Sequence, residues 1–473
     1  MGRRDRIIFE NVLIETVAAE GNALAHVDGK AVFVPLVIPG DVVDIQITHK
    51  RSSYMTGYVT RMVTPSPLRI PPFCAHFGDC GGCKWQPLPY EQQLAYKQQQ
   101  VVDQLTRIGH LTLPAVRPIL GSEHTTCYRN KLEFTFSNAQ WLTFDQMRDN
   151  VTPQPALGFH VGGRFDKVLD IQHCYLQPEP SNAIRLAIKE YALEHALSFF
   201  DLRAQTGFLR TLMIRTASTQ EVMVVVVFAH EDAAAGEDAS ARNALLEYLV
   251  RTFPAITSLQ YVINTKKNDA FSDLDVISYH GPAFITERME NLQFKIGPKS
   301  FYQTNNAQAY RLYDSVRTFA QLDGTQRVYD LYTGTGTIAL FLAAQAREVI
   351  GVEYVPEAIE DARENAQING ITNARFYAGD MKDVLTPAFL QREGAPDVVV
   401  LDPPRAGVHP DVLEVLLQAA PARIIYVSCN PATQARDLQQ LAVAYDITAV
   451  QPVDMFPHTH HVENVVALTR KTL

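Results

Sequence analysis

The feature that most constrains the fold is a regular alternation of short apolar runs and amphipathic stretches after about residue 325. Seven runs have the composition of strands: 327–331, 348–353, 374–377, 397–401, 424–428, 449–455 and 465–469. Four stretches between them have helical periodicity: 338–346, 356–369, 410–418 and 433–445. This alternation predicts an α/β fold with a doubly wound, mainly parallel sheet. No helix separates the last two strands, so we expect them to form an antiparallel hairpin at the sheet edge.

Before residue 325 the sequence has two kinds of pattern, short strands first and then a mixture of helices and strands. Residues 6–62 contain several short strands separated by Gly and Pro, which is typical of a small OB-like barrel that binds oligonucleotides, although a purely structural β-module fits equally well. Residues 90–108 have a helical pattern, and 128–290 predict an α+β domain. The stretch 231–241 predicts a solvated loop.

Composition limits the class of protein. A length of 473 residues is enough for two to four domains, and no apolar run approaches the roughly 18 residues of a membrane span. The N-terminus lacks the apolar segment of a secretory signal, so we expect a cytoplasmic protein. The net charge of −9 argues against a nucleic-acid partner, but residues 45–70 contain no acidic side chain and carry Lys50, Arg51, Arg61 and Arg69. Such a local basic face is sufficient to bind RNA.

A glycine loop follows the first strand of the predicted sheet, in the sequence DLYTGTGT at 330–337. Two glycines before a helix let the backbone approach a ligand, but the third glycine of a pyrophosphate fingerprint is absent, which favours S-adenosylmethionine. Glu353 ends the second strand, Asp380 follows the third and Asp402 follows the fourth. Because these strand ends meet at one edge of the sheet, we expect the three carboxylates to surround a ribose, an adenine edge and the reaction cleft.

Cys429 lies where the fifth strand ends and a helix begins, a position that favours a thiolate. A thiolate there can add to C6 of a uracil, so that C5 becomes nucleophilic and accepts a methyl group. A base must then remove the C5 proton. Glu463 is the candidate, although any of the neighbouring His458, His460 and His461 remains an alternative.

The cysteines are too few for a disulfide scaffold, but three of them are clustered. Cys74, Cys80 and Cys83 form a C-x5-C-x2-C pattern rich in glycine, which indicates a metal site. Four thiolates suit zinc or an iron–sulfur cluster, and spacing alone does not choose between Cys127 and Cys174 as the fourth ligand.

The chain resembles the S-adenosylmethionine-dependent RNA uracil-5-methyltransferases, in particular the 23S ribosomal RNA branch with an N-terminal TRAM barrel and a [4Fe-4S] cluster. The resemblance rests on the sequences CAHFGDCGGC at 74–83, YRNKLEF at 128–134, SFYQTN at 300–305, DLYTGTG at 330–336, LDPPRAG at 401–407, VSCNPAT at 427–433 and MFPHTHHVENV at 455–465.

The resemblance implies a role for each matching residue. Cys429 would be the nucleophile and Glu463 the base. The S-adenosylmethionine site would be formed by Gln303, Tyr332, Thr337, Glu353, Asp380 and Asp402. The cluster would be held by Cys74, Cys80, Cys83 and Cys174. Phe301 would stack on a base near the target uridine.

The resemblance also implies a domain organisation and a partner. The TRAM-like barrel would comprise 1–63, the central RNA-binding domain 64–89 and 125–290, and the methyltransferase domain 90–124 and 291–473. The expected partner is 23S rRNA, bound by a monomer with no membrane partner, because the transfer RNA branch usually lacks the barrel and the cysteine cluster. The alternatives are a tRNA uracil-5-methyltransferase, an amino-group methyltransferase acting on nucleic acid or protein, and a non-catalytic RNA-binding protein.

Overall fold

The computed structural model describes residues 7–230 and 239–472. Its first unit is a six-stranded sheet with the order β1-β5-β6-β4-β3-β2, which curls until β1 approaches β3. The sheet closes around an apolar core that includes Val32, Val43 and Ile45, as a small barrel requires. Its strands are β1 Ile8–Leu13, β2 Thr16–Val17, β3 Ala23–Val27, β4 Lys30–Val34, β5 Val42–Lys50 and β6 Tyr54–Thr64.

A proline-rich segment leads from the barrel through the three clustered cysteines to α1 (Tyr90–Asp103), which a single π-helical turn extends to Ile108. Although α1 lies between the barrel and the central region in sequence, Val101 and Leu105 pack into the core of the C-terminal sheet. Cys80 pairs with Val161, which attaches the cysteine segment to the central sheet.

The central region is a seven-stranded sheet with the order β13-β12-β11-β10-β7-β8-β9, in which only β11 and β12 are parallel. The sequence of β11, VMVVVVF, is apolar throughout because both faces of this strand are covered. The elements are β7 Lys131–Ser137, α2 Phe144–Arg148, β8 Ala156–His160, β9 Val168–Asp170, α3 Ser181–Glu194, β10 Leu209–Thr216, β11 Val222–Phe228, α4 Ala239–Thr252, β12 Ile256–Ile263 and β13 Ile277–His280. Most of the predicted 231–241 loop lies outside the described residues.

The C-terminal sheet has the order β18-β17-β16-β19-β20-β22-β21, and its first five strands are parallel. A hairpin, β14 Ile285–Met289 and β15 Leu292–Ile296, precedes it. The elements are α5 Asn306–Ala320, β16 Arg327–Leu331, α6 Thr337–Ala343, β17 Glu348–Glu353, α7 Pro356–Ile368, β18 Ala374–Ala378, α8 Met381–Val384, α9 Pro387–Glu393, β19 Val398–Leu401, α10 Pro410–Ala419, β20 Arg423–Ser428, α11 Pro431–Leu441, β21 Tyr445–Val453 and β22 Glu463–Arg470.

This arrangement confirms the predicted doubly wound sheet and its antiparallel hairpin, since β22 pairs antiparallel with both β20 and β21. The order reverses between β16 and β19, and ligands bind at such a switch point, beyond the carboxyl ends of the strands. Among the described residues, no helix has the length and apolar character needed to cross a bilayer.

Candidate active site

The glycine loop occupies the switch point. Tyr332, directly after β16, has a left-handed backbone with φ 66°, and its amide donates to the carbonyl of Val352. Gly336, the residue directly before α6, has a left-handed backbone with φ 78°. A Cβ there would lie 2.9 Å from the Cβ of Ala362. A side chain at Gly336 is therefore excluded by both conformation and space.

Asp330, near the end of β16, bonds to both the glycine loop and α6. Its side chain is fully buried, and Oδ2 accepts hydrogen bonds from the amide of Ala339 at 3.0 Å and the hydroxyl of Thr333 at 2.5 Å. Burial is the main cause that raises its pKa to about 7. Asp330 therefore links the glycine loop to the first turn of α6.

The proposed ribose and adenine carboxylates also stabilise backbone. The two oxygens of Glu353 accept from the amides of Gly334 at 3.1 Å and Val355 at 3.0 Å. Asp380 caps α8 by accepting from the amide of Lys382 at 3.2 Å. Both carboxylates are held at the sheet edge in fixed orientations. Thr337 lies buried in the first turn of α6, with its hydroxyl 3.3 Å from that of Thr335.

Asp402 and Glu463 form a second pair of neighbouring carboxyl groups at the same edge of the sheet. Burial raises the pKa of Glu463 to about 8, and the nearby charge of Asp402 adds to this rise. Burial likewise raises the pKa of Asp402 to about 7, with a contribution from Asp330. Tyr313 of α5 lies among these carboxyl groups, and burial raises its pKa as well. A carboxylate in such surroundings is a stronger base than one in water.

Cys429 is half-buried at the start of α11, beside Arg405 and Glu463. The sequence predicts a favoured thiolate at this helix N-terminus, but in the structure burial and the charge of Glu463 raise the pKa of the thiol to about 11, while Arg405 acts in the opposite direction. In the free protein, burial therefore opposes the thiolate that the sequence predicts. Arg405 is held in place by its carbonyl, which accepts from the side chains of Asn430 and Thr433, both at 3.1 Å.

The three histidines before Glu463 are largely buried. Burial lowers the pKa of His458 to about 4, of His460 to about 3 and of His461 to about 4. His461 Nδ1 lies 3.3 Å from an Arg405 guanidinium nitrogen and therefore acts as its acceptor. Neutral imidazoles with pKa values this low are weaker bases than Glu463, which favours the carboxylate.

The loop 297–305, between β15 and α5, contacts the glycine loop, since the carbonyl of Phe301 lies 3.5 Å from the hydroxyl of Thr335. Phe301 is 69% exposed at its tip, and Gln303 is buried, with its carbonyl accepting from the Asn130 side chain at 3.0 Å. Arg215, itself buried, donates to the carbonyls of Gly297 at 2.8 Å and Ser300 at 3.0 Å. The buried guanidinium thus fixes the loop that carries an exposed aromatic ring to the reaction cleft.

The clustered cysteines lie elsewhere. A cavity of about 790 Å³ is lined by Cys74, Cys80, Cys83 and Cys174. Burial raises the pKa of Cys80 to about 11 and that of Cys83 to about 12, and the neighbouring thiols add to both. Cys127 is exposed outside this cavity. As placed, the described side chains form no group of three or more His, Cys, Asp or Glu that could hold a metal ion.

The structure therefore brings Cys429, Glu463 and Asp402 together and places the glycine loop at the same sheet edge. Sequence reasoning missed Tyr313, Arg215 and Arg405 as parts of the site. The only signal for Arg405 was its place directly after Asp402-Pro-Pro, and α5, which carries Tyr313, was not predicted as a helix although its residues are amphipathic.

The doubly wound sheet with this glycine loop and ring of carboxylates defines an S-adenosylmethionine-dependent methyltransferase fold. The comparisons identify the family. Residues 284–471 match the tRNA (uracil-5-)-methyltransferase family and residues 10–60 match the TRAM domain. The chain belongs to the RNA uracil-5-methyltransferase family.

Relatives of full length support this assignment. The chain is 58% identical to an RNA methyltransferase of Bacteroides thetaiotaomicron over 96% of its own length and 99% of that protein. It is 39% identical to one of Chlorobaculum tepidum over 94% and 92% of the two chains. It is also similar to the crystal structure of a Pyrococcus abyssi tRNA (uracil-54, C5)-methyltransferase in complex with S-adenosyl-L-homocysteine. That match has 28% identity and a TM-score of 0.74, and it covers 98% of this chain and 100% of that one.

Proposed function

We propose that the protein methylates C5 of a uridine in 23S ribosomal RNA, with Cys429 as nucleophile and Glu463 as base. The observation that carries the proposal is the meeting of a half-buried thiol and a buried, strongly basic carboxyl group at the sheet edge that holds the glycine loop. The expected S-adenosylmethionine contacts come from Gln303, Tyr332, Thr337, Glu353, Asp380 and Asp402.

The chemistry divides between these side chains. The Cys429 thiolate adds to C6 of the uracil, and the electron pair of the C5–C6 double bond becomes available at C5. C5 takes up the methyl group of S-adenosylmethionine, whose S–CH3 bond breaks to leave S-adenosylhomocysteine. Glu463 then removes the C5 proton, the double bond reforms, and the C6–S bond breaks to release the thiolate. The target uridine must leave its stack to expose C6, and Phe301 is placed to stack on a base beside it.

Trapping by 5-fluorouridine tests this chemistry, because fluorine at C5 cannot leave as a proton. We expect wild-type protein, fluorinated rRNA and methyl donor to give a covalent complex at Cys429, detected by denaturing gel and mass spectrometry. The Cys429→Ala variant is the matched control and should give none. Methyl transfer that survives in this variant would instead support an amino-group methyltransferase.

The RNA substrate needs its own experiment. A tRNA uridine is the second candidate, because the match to the Pyrococcus enzyme spans nearly the whole chain and so includes the barrel region that the sequence argument associates with rRNA. Mapping 5-methyluridine in both RNAs from a deletion strain distinguishes them: loss from 23S rRNA supports the proposal, and loss from tRNA alone overturns it. A cytoplasmic, monomeric protein made of the three predicted domains remains part of the proposal.

We also propose that Cys74, Cys80, Cys83 and Cys174 hold a [4Fe-4S] cluster, since four thiols line one cavity and iron–sulfur clusters take four cysteine thiolates. The side chains must turn toward the centre of the cavity to ligate it. Protein purified without oxygen should contain iron and acid-labile sulfide and absorb visible light. The Cys80→Ser variant should lose this absorption and the Cys127→Ser control should keep it, whereas stoichiometric zinc in colourless protein would contradict the assignment.

A further inference from the structure

The segment that carries Glu463 into the site has no regular secondary structure. We call residues 454–462, between β21 and β22, the catalytic loop. Its backbone carbonyls are nevertheless bonded from several directions: that of Met455 accepts from Asn305 at 3.1 Å, and that of Pro457 accepts from the hydroxyl of Tyr128 at 3.1 Å. An irregular loop held this way has its position set by distant elements rather than by its own sequence.

Lys97, on the buried face of α1, makes two further bonds to the loop. Its ammonium group donates to Asp454 at 2.6 Å and to the carbonyl of Phe456 at 3.1 Å, and neither charged side chain is exposed. Asp454 also accepts from the amide of Phe456 at 3.0 Å and from the hydroxyl of Tyr90 at 2.8 Å. The ion pair therefore clamps both polar groups of the Phe456 backbone.

Gln93, one helical turn before Lys97, bonds the next part of the loop. Its carbonyl oxygen accepts from the amide of His458 at 2.9 Å. Its amide nitrogen donates to the carbonyls of Trp85 at 3.1 Å and Leu88 at 2.9 Å, and lies 3.2 Å from His458 Nδ1. The amides of Lys84 and Trp85 in turn donate to the His458 carbonyl at 2.9 and 3.1 Å.

Fully buried Lys and Gln side chains, such as Lys97 and Gln93, are unusual in a protein interior. Buried Lys and Gln side chains are costly unless fully bonded, and well-packed apolar residues often replace a buried ion pair without loss of stability. Here every bond described for Lys97 ends on the catalytic loop, and two of the bonds of Gln93 do so. The position of that loop, rather than stability alone, explains their presence.

We propose that Lys97 and Gln93 are positioning residues that fix the catalytic loop so that the Glu463 carboxylate reaches the C5 proton. The inference rests on the proposed function. Neither side chain touches substrate in this scheme. The backbone beside Cys429 is bonded outside the loop, because the Arg405 carbonyl accepts from Asn430 and Thr433. The loop contacts the Arg405 guanidinium through His461, a residue to which no bond described for Lys97 or Gln93 leads.

The inference predicts which step slows. Addition of the Cys429 sulfur to C6 and uptake of the methyl group at C5 precede the step that needs Glu463. A displaced carboxylate leaves the C5 proton in place, the C6–S bond then persists, and the methylated RNA stays attached to the enzyme. A misplacement of about 1 Å is enough to slow a step about 100-fold.

The test is a double variant of the full-length protein, Lys97→Met with Asp454→Asn. It removes both buried charges at once. The Asn side chain keeps one oxygen to accept from the Phe456 amide, and its NH2 group replaces the oxygen that accepts from Tyr90, so the variant loses the bond to the Phe456 carbonyl and the bond from Tyr90. With ordinary uridine RNA and methyl donor, we expect kcat to fall at least about tenfold. The KM for RNA should fall with kcat, because the slowed step follows methyl transfer, and a covalent complex at Cys429 should accumulate. Gln93→Met is the second variant and should behave in the same way.

Leu246→Ala serves as the control for general loosening, because Leu246 is buried in the central region far along the chain from this loop. It should lower the melting temperature without accumulation of the complex. Loss of kcat in the α1 variants without accumulation, or with an equal change in the control, would overturn the positioning role. If wild-type protein forms no trapped complex with 5-fluorouridine RNA, the proposed function fails instead.

Discussion

Replacing Glu463 with Gln tests whether the buried carboxyl group has the strength that the structure assigns to it. Burial raises its pKa from 4.5 to about 8, so the folded protein holds this proton more tightly than the unfolded chain. Stability from this group is therefore fully present below about pH 4.5 and is lost as pH rises through 8. Because the pKa rises from 4.5 to about 8, ionisation of this group in the folded protein costs up to about 5 kcal/mol above pH 8.

Glutamine does not ionise, but its amide N–H groups need hydrogen-bond partners. Without them the free energy of unfolding falls by about 1–3 kcal/mol. The variant should therefore be less stable than wild type at pH 5 and more stable at pH 9. Thermal unfolding of both proteins across this range measures the difference. In parallel, kcat of wild type should rise toward pH 8 as Glu463 ionises, because proton removal follows methyl transfer, and the variant should accumulate the covalent RNA complex at every pH.

Asp41→Asn is the control for the direction of the pH dependence, because the pKa of Asp41 is lowered rather than raised. Hydrogen bonds from Arg69 and two backbone amides lower the pKa of Asp41 despite its burial, so it is ionised in both folded and unfolded chains from pH 5 to 9. Its variant should lose a constant amount of stability over that range. A Glu463→Gln difference that is equally constant would refute the elevated pKa and, with it, the argument for an unusually strong base.

Three further outcomes follow from the site. Cys429→Ser should abolish the covalent RNA complex and methyl transfer without lowering the melting temperature by more than about 1 °C, because the half-buried side chain keeps its size. Arg215→Met should raise the KM for RNA severalfold, since the loop with Phe301 loses two buried anchors, and steady-state kinetics would show an unchanged KM if the loop is rigid by itself. Gly336→Ala should weaken S-adenosylmethionine binding at least tenfold in calorimetry, because a Cβ meets Ala362 at 2.9 Å; wild-type affinity would mean that the loop shifts freely.

The C-terminal sheet could be predicted because its signals are local. Each strand is a short apolar run, and prolines at the first positions of α7, α10 and α11 set their starts. Strand ends in a parallel sheet share one edge, so Asp402 and Cys429 could be assigned to one cleft before any coordinates. Helix α5 and the hairpin β14–β15 were missed because no glycine loop or sequence motif marks them.

The pKa values of the site residues could not be predicted from such local signals. A helix start predicts an ionised thiol at Cys429, yet burial by other parts of the chain raises its pKa. In the same way, the basicity of Glu463 depends on Asp402, about 60 residues earlier, and on exclusion of water. Sequence gives the residue types at a strand end, but the dielectric surroundings that tune them are a property of the tertiary fold.

The residues that surround the catalytic loop come from segments that are far apart in the sequence. Trp85 donates its indole N–H to the carbonyl of Gly21 in the barrel at 3.2 Å, while its backbone amide donates to His458 at 3.1 Å. A Cβ at Gly21 would lie 3.1 Å from His460, so the barrel packs directly on the loop. A displacement of the barrel would therefore reach the segment that precedes Glu463. The segment 83–85 begins at a proposed cluster ligand, so contacts from the barrel and from the thiol cavity converge on the same loop.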